Sequence, residues 1–361
     1  MRRTVGTKPG VPLDRASTIP SSWYLDPEHH RRDVDRILAR TWQQVAREEQ
    51  VEKPGDFLAA DVAGEPVLIV RGRDGTLRAF YNVCRHRAGT IAKGDGCVKA
   101  FSCTYHGWSY GLDGALLGAP EMEGVRDFDK EDFGLVPVRC ETWSGLVFVN
   151  LDEKAGPLAR WMGPMPELAA ATRFASMRFA RRDVYSMACN WKVYVDNYME
   201  GYHVPKAHPG LNKAIDYKQY WVRCDGNVVT QGAPERAGGS ETDYLYLWLY
   251  PNFMLNVSPG YAQTNLIVPD GPKQTTCVFD YWFADGAGAA ERKRREASIA
   301  WSDEIQREDI ALCESVQRNL ASRSYVAGRY SVRRENGLYH FHERLRRDLA
   351  GATRLPRSSS K

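Results

Sequence analysis

Apolar and polar positions change their spacing along the chain, and the changes predict two domains behind a short N-terminal arm. Between residues 26 and 42 the apolar positions recur at helical spacing. Short apolar runs separated by Asp-Gly turns follow, which is typical of strands. The clearest runs are residues 57–62, 66–70 and 146–150. We therefore predict an arm and helix at residues 1–41, packing on the later domain, and a small all-β domain at residues 42–155.

The second half of the chain mixes helical and strand patterns. A proline-interrupted helical stretch at about residues 157–174 leads into it. Strand-like segments then follow one another with turn signals between them. They are residues 221–224, 228–230, 244–250, 253–257, 264–268 and 275–283. A long helix is predicted at residues 289–320. We therefore predict an α+β domain with an antiparallel sheet at residues 156–351. The tail at residues 352–361 is predicted to be disordered.

Composition and charge narrow the class of protein. The hydrophobic fraction of 43% is ordinary for a globular domain, and a net charge of +4 over 361 residues gives no support for nucleic-acid binding. No apolar run approaches the roughly 20 residues of a membrane span, and the N-terminus lacks the apolar core of a signal peptide. We therefore expect a cytoplasmic protein with neither nucleic acid nor membrane as a partner. In that compartment the eight cysteines are expected to be free thiols or metal ligands.

Two short motifs in the β domain each pair a cysteine with a histidine. They are Cys84-x-His86 and Cys103-x-x-His106. Two thiolates and two imidazoles from two loops are the ligand set of a Rieske [2Fe-2S] cluster, in which the cysteines hold one iron and the histidines the other. A zinc site also uses two of each, but zinc fingers pair cysteine with cysteine and histidine with histidine. One of each on each loop favours the Rieske cluster, over which Trp108 and Tyr110 are expected to pack.

A further pair of histidines lies about a hundred residues later. The stretch at residues 190–211 contains His203 and His208, and its first part, up to Glu200, is expected to be helical. Residues five apart on an unbroken helix point about 140° away from each other, so both rings can face one ion only if the helix ends or distorts between them. Pro205 is expected to cause that break. Taken alone, the two histidines are as consistent with ordinary core or surface positions as with a metal site.

Taken together, the motifs resemble the alpha subunits of Rieske non-haem iron oxygenases over about residues 22–345. The closer resemblance is to the branch that contains choline monooxygenase, carnitine monooxygenase and glycine betaine demethylases. Three stretches carry it: residues 196–203, 250–256 and 302–314. The resemblance implies a catalytic domain of the helix-grip type, a Rieske cluster, and a mononuclear Fe(II) bound by His203, His208 and one acid.

The third iron ligand should be a carboxylate, since non-haem iron oxygenases use two histidines and one carboxylate on one face. The long C-terminal helix offers Asp303, Glu304, Glu308 and Asp309. Spacing alone does not choose among them, but the resemblance chooses Asp309. We expect its side chain to point inward on a helix face shared with Leu312, Cys313 and Val316.

The resemblance also gives roles to residues just before the first histidine. It implies that Glu200 links His203 to His106 of a neighbouring chain. Aromatic-ring dioxygenases commonly carry Asp at this place, whereas Glu is similar to the carnitine and betaine enzymes. Asp196 and Asn197 either support the same histidine or simply cap and hydrogen-bond the helix, and the sequence leaves both readings open.

Reaction with O2 at one iron requires two external electrons per turnover. The chain has no G-x-G-x-x-G turn and no plant-type ferredoxin spacing of cysteines. We therefore expect a separate NAD(P)H-dependent reductase, with or without a ferredoxin. The resemblance implies a homotrimer in which the cluster of one subunit serves the iron of the next.

The substrate hypothesis rests on the branch and on one predicted strand. Residues 244–250 alternate strictly, with Tyr244, Tyr246, Trp248 and Tyr250 on one face. Aromatic faces bind quaternary ammonium groups, although such rings also pack sheets against helices. We predict an oxygenase that hydroxylates or N-demethylates a small quaternary ammonium or betaine-like molecule. The alternatives are an aromatic-ring or aryl side-chain hydroxylating oxygenase, monooxygenase or dioxygenase, on the same scaffold, and an electron carrier that needs only the cluster motifs.

Overall fold

The computed structural model describes residues 8–350, and these divide into two compact units. One unit is Leu38–Trp161, and the other combines the segments on either side of it. The limits predicted from the sequence for the all-β domain were residues 42 and 155. The tail predicted to be disordered, at residues 352–361, and the first seven residues of the predicted arm lie outside the described residues. No helix in the described part of the chain is long and apolar enough to cross a membrane.

The N-terminal segment is helical but shorter than predicted. Helix α1 spans Ser22–Leu25 and α2 spans Pro27–Arg36. The side chain of Asp26 caps α2 by accepting a hydrogen bond from the Glu28 N–H at 2.9 Å, and proline suits the first helical position that follows. The chain leaves the helix at Arg36, whereas the apolar spacing had suggested a helix as far as residue 42.

The unit Leu38–Trp161 is an all-β domain, as predicted. Its strands are β1 (Gln43–Arg47), β2 (Asp56–Val62), β3 (Glu65–Arg71), β4 (Leu77–Tyr81), β5 (Asp95–Cys97), β6 (Phe101–Ser102), β7 (Ser109–Tyr110), β8 (Leu116–Gly118), β9 (Pro137–Trp143) and β10 (Leu146–Asn150). Seven of them form an antiparallel sheet in the order β1-β10-β9-β4-β3-β2-β5, and β6, β7 and β8 form a small second sheet. The three clearest predicted strands are confirmed as β2, β3 and β10.

The other unit is built on one antiparallel sheet. Its strands are β11 (Arg178–Met187), β12 (Trp221–Asp225), β13 (Val228–Ala233), β14 (Tyr244–Leu249), β15 (Phe253–Ser258), β16 (Tyr261–Pro269) and β17 (Thr275–Phe283). The sheet order is β11-β17-β16-β15-β14-β13-β12, so the last six strands form a meander and β11 is added at one edge. All six strands predicted for this domain are confirmed.

Seven α-helices follow β10 in the described part of the chain. They are α3 (Leu158–Met162), α4 (Met165–Ala170), α5 (Trp191–Tyr198), α6 (Val204–Ala207), α7 (Pro209–Ala214), α8 (Ala289–Leu320) and α9 (Asn336–Ala350). Helix α8 has the predicted bounds. Helix α5 ends two residues before the predicted end.

Two elements of this unit escaped the sequence analysis. Strand β11 is an edge strand whose arginine-rich residues are mostly exposed, so it lacks the apolar alternation of a half-buried strand. Helix α9 buries Leu338, Phe341 and Leu345, which have helical spacing. Its Phe341 ring packs against Trp191 at 5.8 Å and Trp248 at 5.4 Å between ring centroids. No helix was predicted after residue 320. The sequence therefore gave no indication that α9 packs against Trp191 and Trp248.

Helix α5, which leads to the histidine pair, is fixed by buried polar contacts. The side chain of Asn190 caps it by accepting from the Lys192 N–H at 3.0 Å. The Lys192 ammonium group pairs with Asp33 of α2, and both side chains are fully buried. The indole N–H of Trp191 donates to the same carboxylate at 3.2 Å. Because a buried charge left without its partner is costly, this pair holds α5 firmly against α2.

Candidate metal centres

His203 and His208 flank a single helical turn. Helix α5 ends at Tyr198, His203 is the residue before α6, and His208 separates α6 from α7. The two imidazole rings lie 5.0 Å apart between centroids with their planes at 76°. The loop that replaces the helix after residue 198 therefore brings both rings to one place.

The prolines act differently from the prediction. Pro205 was expected to break a helix between the histidines, but it lies in the first turn of α6, where a missing N–H costs little. Pro209 has the stronger effect, because it begins α7 and excludes the helical conformation for the residue before it. His208 accordingly has φ −121° and ψ 78°.

Asp309 of α8 faces both histidines. Its Oδ1 lies 3.0 Å from His208 Nε2 and 3.8 Å from His203 Nε2. One ligand atom from each of the three residues lies within 4.8 Å of the others, and no other three His, Cys, Asp or Glu residues among residues 8–350 come as close. Two imidazoles and one carboxylate form the donor set of non-haem iron oxygenases, so the residues present fit a mononuclear iron.

The buried face of α8 differs in part from the predicted one. Cys313 is buried, as predicted, but Leu312 and Val316 are 38% and 48% exposed. Instead, polar and apolar residues share the inward face equally. They are Ile299, Ser302, Gln306, Cys313, Gln317 and Leu320, with Asp309 half-buried between them. The expectation was wrong for Leu312 and Val316, which lie toward the exposed side of α8, whereas Ser302, Gln306 and Asp309 line the cavity.

Each histidine of the pair has a carboxylate on its other ring nitrogen. His203 Nδ1 lies 2.6 Å from Glu200 Oε1, and His208 Nδ1 lies 2.6 Å from Glu308 Oε2. A metal-binding imidazole usually donates its second N–H in this way, which leaves Nε2 free to coordinate. The Glu200 carboxylate also accepts from the backbone N–H groups of Tyr202 and His203. Glu200 therefore orients the ring and stabilises the loop that carries it.

The contact of Glu308 was not predicted. The sequence analysis named this acid only as a competitor of Asp309, since nothing in the sequence connects it with a histidine 100 positions away. Burial lowers the pKa of His208, but hydrogen bonds and negative charge from Asp309 and Glu308 outweigh it and raise the pKa above its usual value. The carboxylates thus provide the negative charge that a cation at this place requires.

Replacing Glu308 by glutamine should loosen the His208 ring. We expect the affinity for the mononuclear iron to fall about 10- to 100-fold, as is typical when the hydrogen-bond partner of a metal ligand is removed. Iron titration of the metal-free protein measures this. Glu304→Gln is the matched control, because Glu304 lies exposed on the same helix. Equal iron affinity in both variants would contradict a supporting role for Glu308.

Asn197 and Asp196 have separate surroundings. Asn197 Nδ2 donates to Asp309 Oδ1 at 2.6 Å, so this side chain belongs to the histidine–aspartate group. Asp196 accepts from Tyr24 Oη at 2.5 Å and lies 2.9 Å from His342 Nε2, in a buried network away from that group. The sequence left open whether these two residues support His203 or only bond within the helix. In the structure, Asn197 contacts Asp309, and Asp196 contacts α9 through His342.

The four residues of the cysteine–histidine motifs occupy two loops of the β unit. Cys84 follows β4, and Cys103 and His106 lie between β6 and β7. Both cysteines are buried, at 3% and 2% exposure, whereas His86 is half-buried and His106 is exposed. The imidazole rings of His86 and His106 lie 4.6 Å apart between centroids.

The donor atoms of these four residues fit a two-iron cluster better than a single zinc ion. His86 Nδ1 is buried and has no hydrogen-bond partner in the described structure, as expected for an atom reserved for a metal. The two imidazole rings lie together, 4.6 Å apart between centroids. Such a pair of histidines suits one iron of a two-iron cluster, with the cysteines on the other.

Aromatic side chains shield the cluster residues, as predicted. The indole of Trp108 stacks on His86 at 4.9 Å and is only 2% exposed. Tyr110 is fully buried, with its Oη 3.3 Å from Cys84 Sγ, and it accepts from the Arg85 N–H at 3.0 Å. Of the four motif residues, the two cysteines are therefore well shielded from solvent, and His106 is the one that is exposed.

A cavity of about 110 Å³ opens beside His203, His208 and Asp309. Aromatic rings form much of its wall. They are Tyr194, Tyr198, Tyr220, Tyr246, Tyr261, Phe279 and Trp301. Among the described residues that line it, none is lysine or arginine, and the carboxylates are Glu200 and Asp309. The cavity thus combines aromatic faces and negative charge.

The aromatic strand predicted to line this cavity does so at one position. Tyr246 reaches the cavity, whereas Trp248 and Tyr250 are fully buried outside its lining and Tyr244 packs toward Trp301 at 6.3 Å. Most of the aromatic wall comes from α5, β16, β17 and α8 instead. Packing of the sheet therefore explains most of the alternating aromatic residues at 244–250. The cavity rings contributed by the other elements were not predicted from the sequence.

Two family descriptions match the chain. The Rieske [2Fe-2S] domain matches residues 41–129, and the ring hydroxylating alpha subunit (catalytic domain) matches residues 174–351. Chloroplastic choline monooxygenase of Arabidopsis thaliana is 36% identical, over 94% of this chain and 85% of the relative. The carnitine monooxygenase oxygenase subunit of Escherichia coli K12 is 34% identical, over 91% and 93%.

Solved structures agree with these relatives. The quaternary ammonium Rieske monooxygenase CntA in complex with its substrate L-carnitine has a TM-score of 0.83 at 32% identity, covering 93% of this chain and 96% of that one. Naphthalene 1,2-dioxygenase with indole bound in the active site has a TM-score of 0.75 at 20% identity, covering 93% and 92%. The second likeness concerns the fold alone.

Proposed function

This chain belongs to the Rieske non-haem iron oxygenases, and we propose that it uses O2 and external electrons to hydroxylate or N-demethylate a small quaternary ammonium substrate. Its two matched domains imply a Rieske [2Fe-2S] cluster and a mononuclear iron. The observation that carries the substrate proposal is the aromatic cavity beside the histidine–aspartate group, whose lining within residues 8–350 contains neither lysine nor arginine.

We propose that the cluster is held by the four residues of the two cysteine–histidine motifs, Cys84, His86, Cys103 and His106. The mononuclear iron is held by the histidine–aspartate group. The buried thiols, the unpartnered His86 Nδ1 and the convergence of both Nε2 atoms on Asp309 support this assignment. When bound, the iron supplies the activation of dioxygen.

The protein's own groups prepare the site for this reaction. Glu200 and Glu308 hold the histidine rings in the tautomer that presents Nε2. Asn197 donates to Asp309 Oδ1, which directs that oxygen's remaining lone pair and restricts the carboxylate's rotation. We propose Glu200 and Asn197 as functional residues, whereas Asp196 acts through the packing of α5 against α9.

The aromatic wall suits a cation that has no hydrogen-bonding protons. A quaternary ammonium group is attracted to aromatic faces, with each contact contributing about 0.5–2 kcal/mol. The absence of lysine and arginine among the described lining residues avoids repulsion, and the nearby carboxylates add attraction. A methyl group or neighbouring carbon of such a cation would lie beside the histidine–aspartate group.

The reaction balances with two electrons and two protons. One atom of O2 enters a C–H bond on a carbon next to nitrogen, and the other leaves as water. If that carbon is a methyl group, the N-hydroxymethyl product releases formaldehyde and a proton and leaves a tertiary amine. Because the chain has no nucleotide-binding glycine motif, we propose that a separate NAD(P)H-dependent reductase supplies the electrons, with or without a ferredoxin.

We also propose a homotrimer in which His106 of one chain approaches Glu200 of the next. The exposure of His106 and Tyr105 beside an otherwise buried cluster site supports this arrangement, because an electron-transfer partner needs access to one edge of the cluster. The 56% exposure of Tyr202, next to the Glu200 carboxylate, fits a docking surface on the other side. The cytoplasmic location stays a prediction.

Oxygen uptake by the iron-loaded protein with a surrogate reductase and NADH tests the function. The panel contains choline, glycine betaine, carnitine and small aromatic acids. We expect quaternary ammonium compounds to stimulate uptake with release of about one aldehyde per O2. Stimulation by aromatic acids alone would support ring or side-chain hydroxylation instead. A normal Rieske signal without substrate-dependent uptake would indicate an electron carrier.

A further inference from the structure

The segment that carries Glu200 and His203 begins where α5 ends. The last helical residue is Tyr198, and the last carbonyl groups of a helix have no partner within it. The carbonyl oxygen of Tyr198 accepts from Gln231 Nε2 at 2.6 Å. Gln231 belongs to β13 and is only 1% exposed. A buried side chain of the sheet therefore fixes the point from which residues 199–203 depart.

Tyr220 makes two contacts with this arrangement. Its Oη donates to Gln231 Oε1 at 3.0 Å, which leaves the Gln231 NH2 group to donate to the Tyr198 carbonyl. Its ring lies against Gly201, where an added methyl group would come within 2.5–2.9 Å of three ring carbon atoms. The φ angle of Gly201 lies outside the left-handed region, so glycine is needed at this position for space.

The same tyrosine forms part of the cavity wall, as do Glu200 and His203. Its ring and its hydroxyl group have separable roles. The ring contributes to the wall and rests on Gly201, whereas the hydroxyl group holds Gln231 in place. Because close-packed interiors transmit small displacements, a shift of either contact should move the backbone beside Glu200.

We infer that Tyr220 is a positioning residue that holds the Glu200 segment in the place needed for electron delivery to the mononuclear iron. This inference rests on the proposed function, because it assumes that electrons reach the iron past Glu200. It adds a residue from outside the metal-binding motifs, which acts through Gln231 and Gly201. If Tyr220 only packed the sheet, its replacement would lower stability without slowing one step of the reaction.

Tyr220→Phe removes the hydroxyl anchor and keeps the ring. We expect oxidation of the pre-reduced cluster in a single turnover, at saturating choline, glycine betaine or carnitine, to slow about 2- to 30-fold, a range typical for residues that couple two sites. KM and iron content should stay as wild type. Tyr261→Phe is the matched control, because Tyr261 is a cavity tyrosine on β16. A wild-type rate in Tyr220→Phe, or equal slowing in both variants, would overturn the inference.

Gly201→Ala tests the packing contact from the opposite side. The added methyl group must displace the Tyr220 ring, so cluster oxidation should slow in this variant as well. In a Tyr220→Ala background the methyl group meets no ring, and Gly201→Ala should then change the rate by less than about twofold. Effects of the two substitutions that simply multiply in the double variant would contradict the proposed contact.

Hydrogen exchange examines the same segment without substrate or reductase. The Glu200 carboxylate accepts from the backbone N–H groups of Tyr202 and His203, and local opening exposes such groups to exchange. In the full-length, metal-loaded protein, these amides should exchange about 2- to 13-fold faster in Tyr220→Phe than in Tyr261→Phe, the factor that corresponds to one lost hydrogen bond.

The outcomes separate the inference from the proposed function. Faster exchange in Tyr220→Phe together with slower cluster oxidation is the expected result. Faster exchange at a wild-type rate of cluster oxidation would make Tyr220 a residue of the fold alone, which overturns the inference and leaves the proposed function standing. Absence of substrate-dependent oxygen uptake in the wild-type protein would overturn both.

Discussion

Replacing Asp309 by alanine should abolish substrate oxidation while leaving the visible spectrum of the Rieske cluster intact. Asp309 provides a carboxylate oxygen that lies within 4.8 Å of a ligand atom of each histidine. Without it, two neutral imidazoles must hold a dication alone. Removal of a hydrogen-bond partner of a metal ligand already costs about 10- to 100-fold in affinity, so loss of the ligand itself should cost at least about a hundredfold.

Iron analysis and oxygen uptake measure this result together. The wild-type protein should contain three irons per chain, two in the cluster and one in the mononuclear site, and Asp309→Ala should retain the two of the cluster. Glu304→Ala is the control, since Glu304 is an exposed acid on the same helix and should change neither number. Full iron content and normal uptake in Asp309→Ala would show that another acid is the ligand.

The proposed metal ligands were the part of the site most open to prediction from sequence. The proposed cluster ligands lie two or three residues apart on each loop, so the chemistry is visible as a local motif. His203 and His208 lie five residues apart and indicate a metal site only together with those motifs. The choice of Asp309 needed the resemblance, because four acids of α8 compete and helical spacing does not tell which one faces a loop a hundred residues earlier.

The supporting contacts could not be predicted, because they join distant parts of the chain. Glu308 reaches His208, and Asn197 reaches Asp309, across about a hundred residues. The position of the helix break was predictable but was predicted wrongly. Pro209 disfavours a helical conformation at His208, whereas the break was assigned to Pro205.

The aromatic strand shows why the cavity itself was only partly predictable. A period of two places Tyr246 and Trp248 on the same face of β14, yet what covers that face changes along the strand. Tyr246 meets the cavity, and Trp248 meets Phe341 of α9, a helix that the sequence analysis did not find. Alternating side chains predict which residues share one face of a strand. What that face contacts depends on the element packed against it, which the strand's own sequence does not show.

Replacing Glu200 by glutamine should slow turnover by about 10- to 100-fold even when the mononuclear site is saturated with iron, a magnitude typical for supporting residues of metal sites. The Glu200 side chain is 11% exposed and faces His203 Nδ1 at 2.6 Å, and Tyr202 beside it is exposed. If this carboxylate joins His203 to His106 of a neighbouring chain, its loss should slow electron delivery to the mononuclear iron. Single-turnover oxidation of the pre-reduced cluster measures that step directly.

Glu308→Gln is the matched control for this experiment. Both carboxylates lie 2.6 Å from a histidine Nδ1, so both variants should perturb a ring that binds the iron. Only Glu200 lies on the loop proposed to meet the next subunit. With the mononuclear site saturated with iron, Glu308→Gln should transfer electrons at the wild-type rate and Glu200→Gln should not. Equal rates in the two variants would mean that Glu200 only orients His203, and the route between subunits would have to pass through other residues.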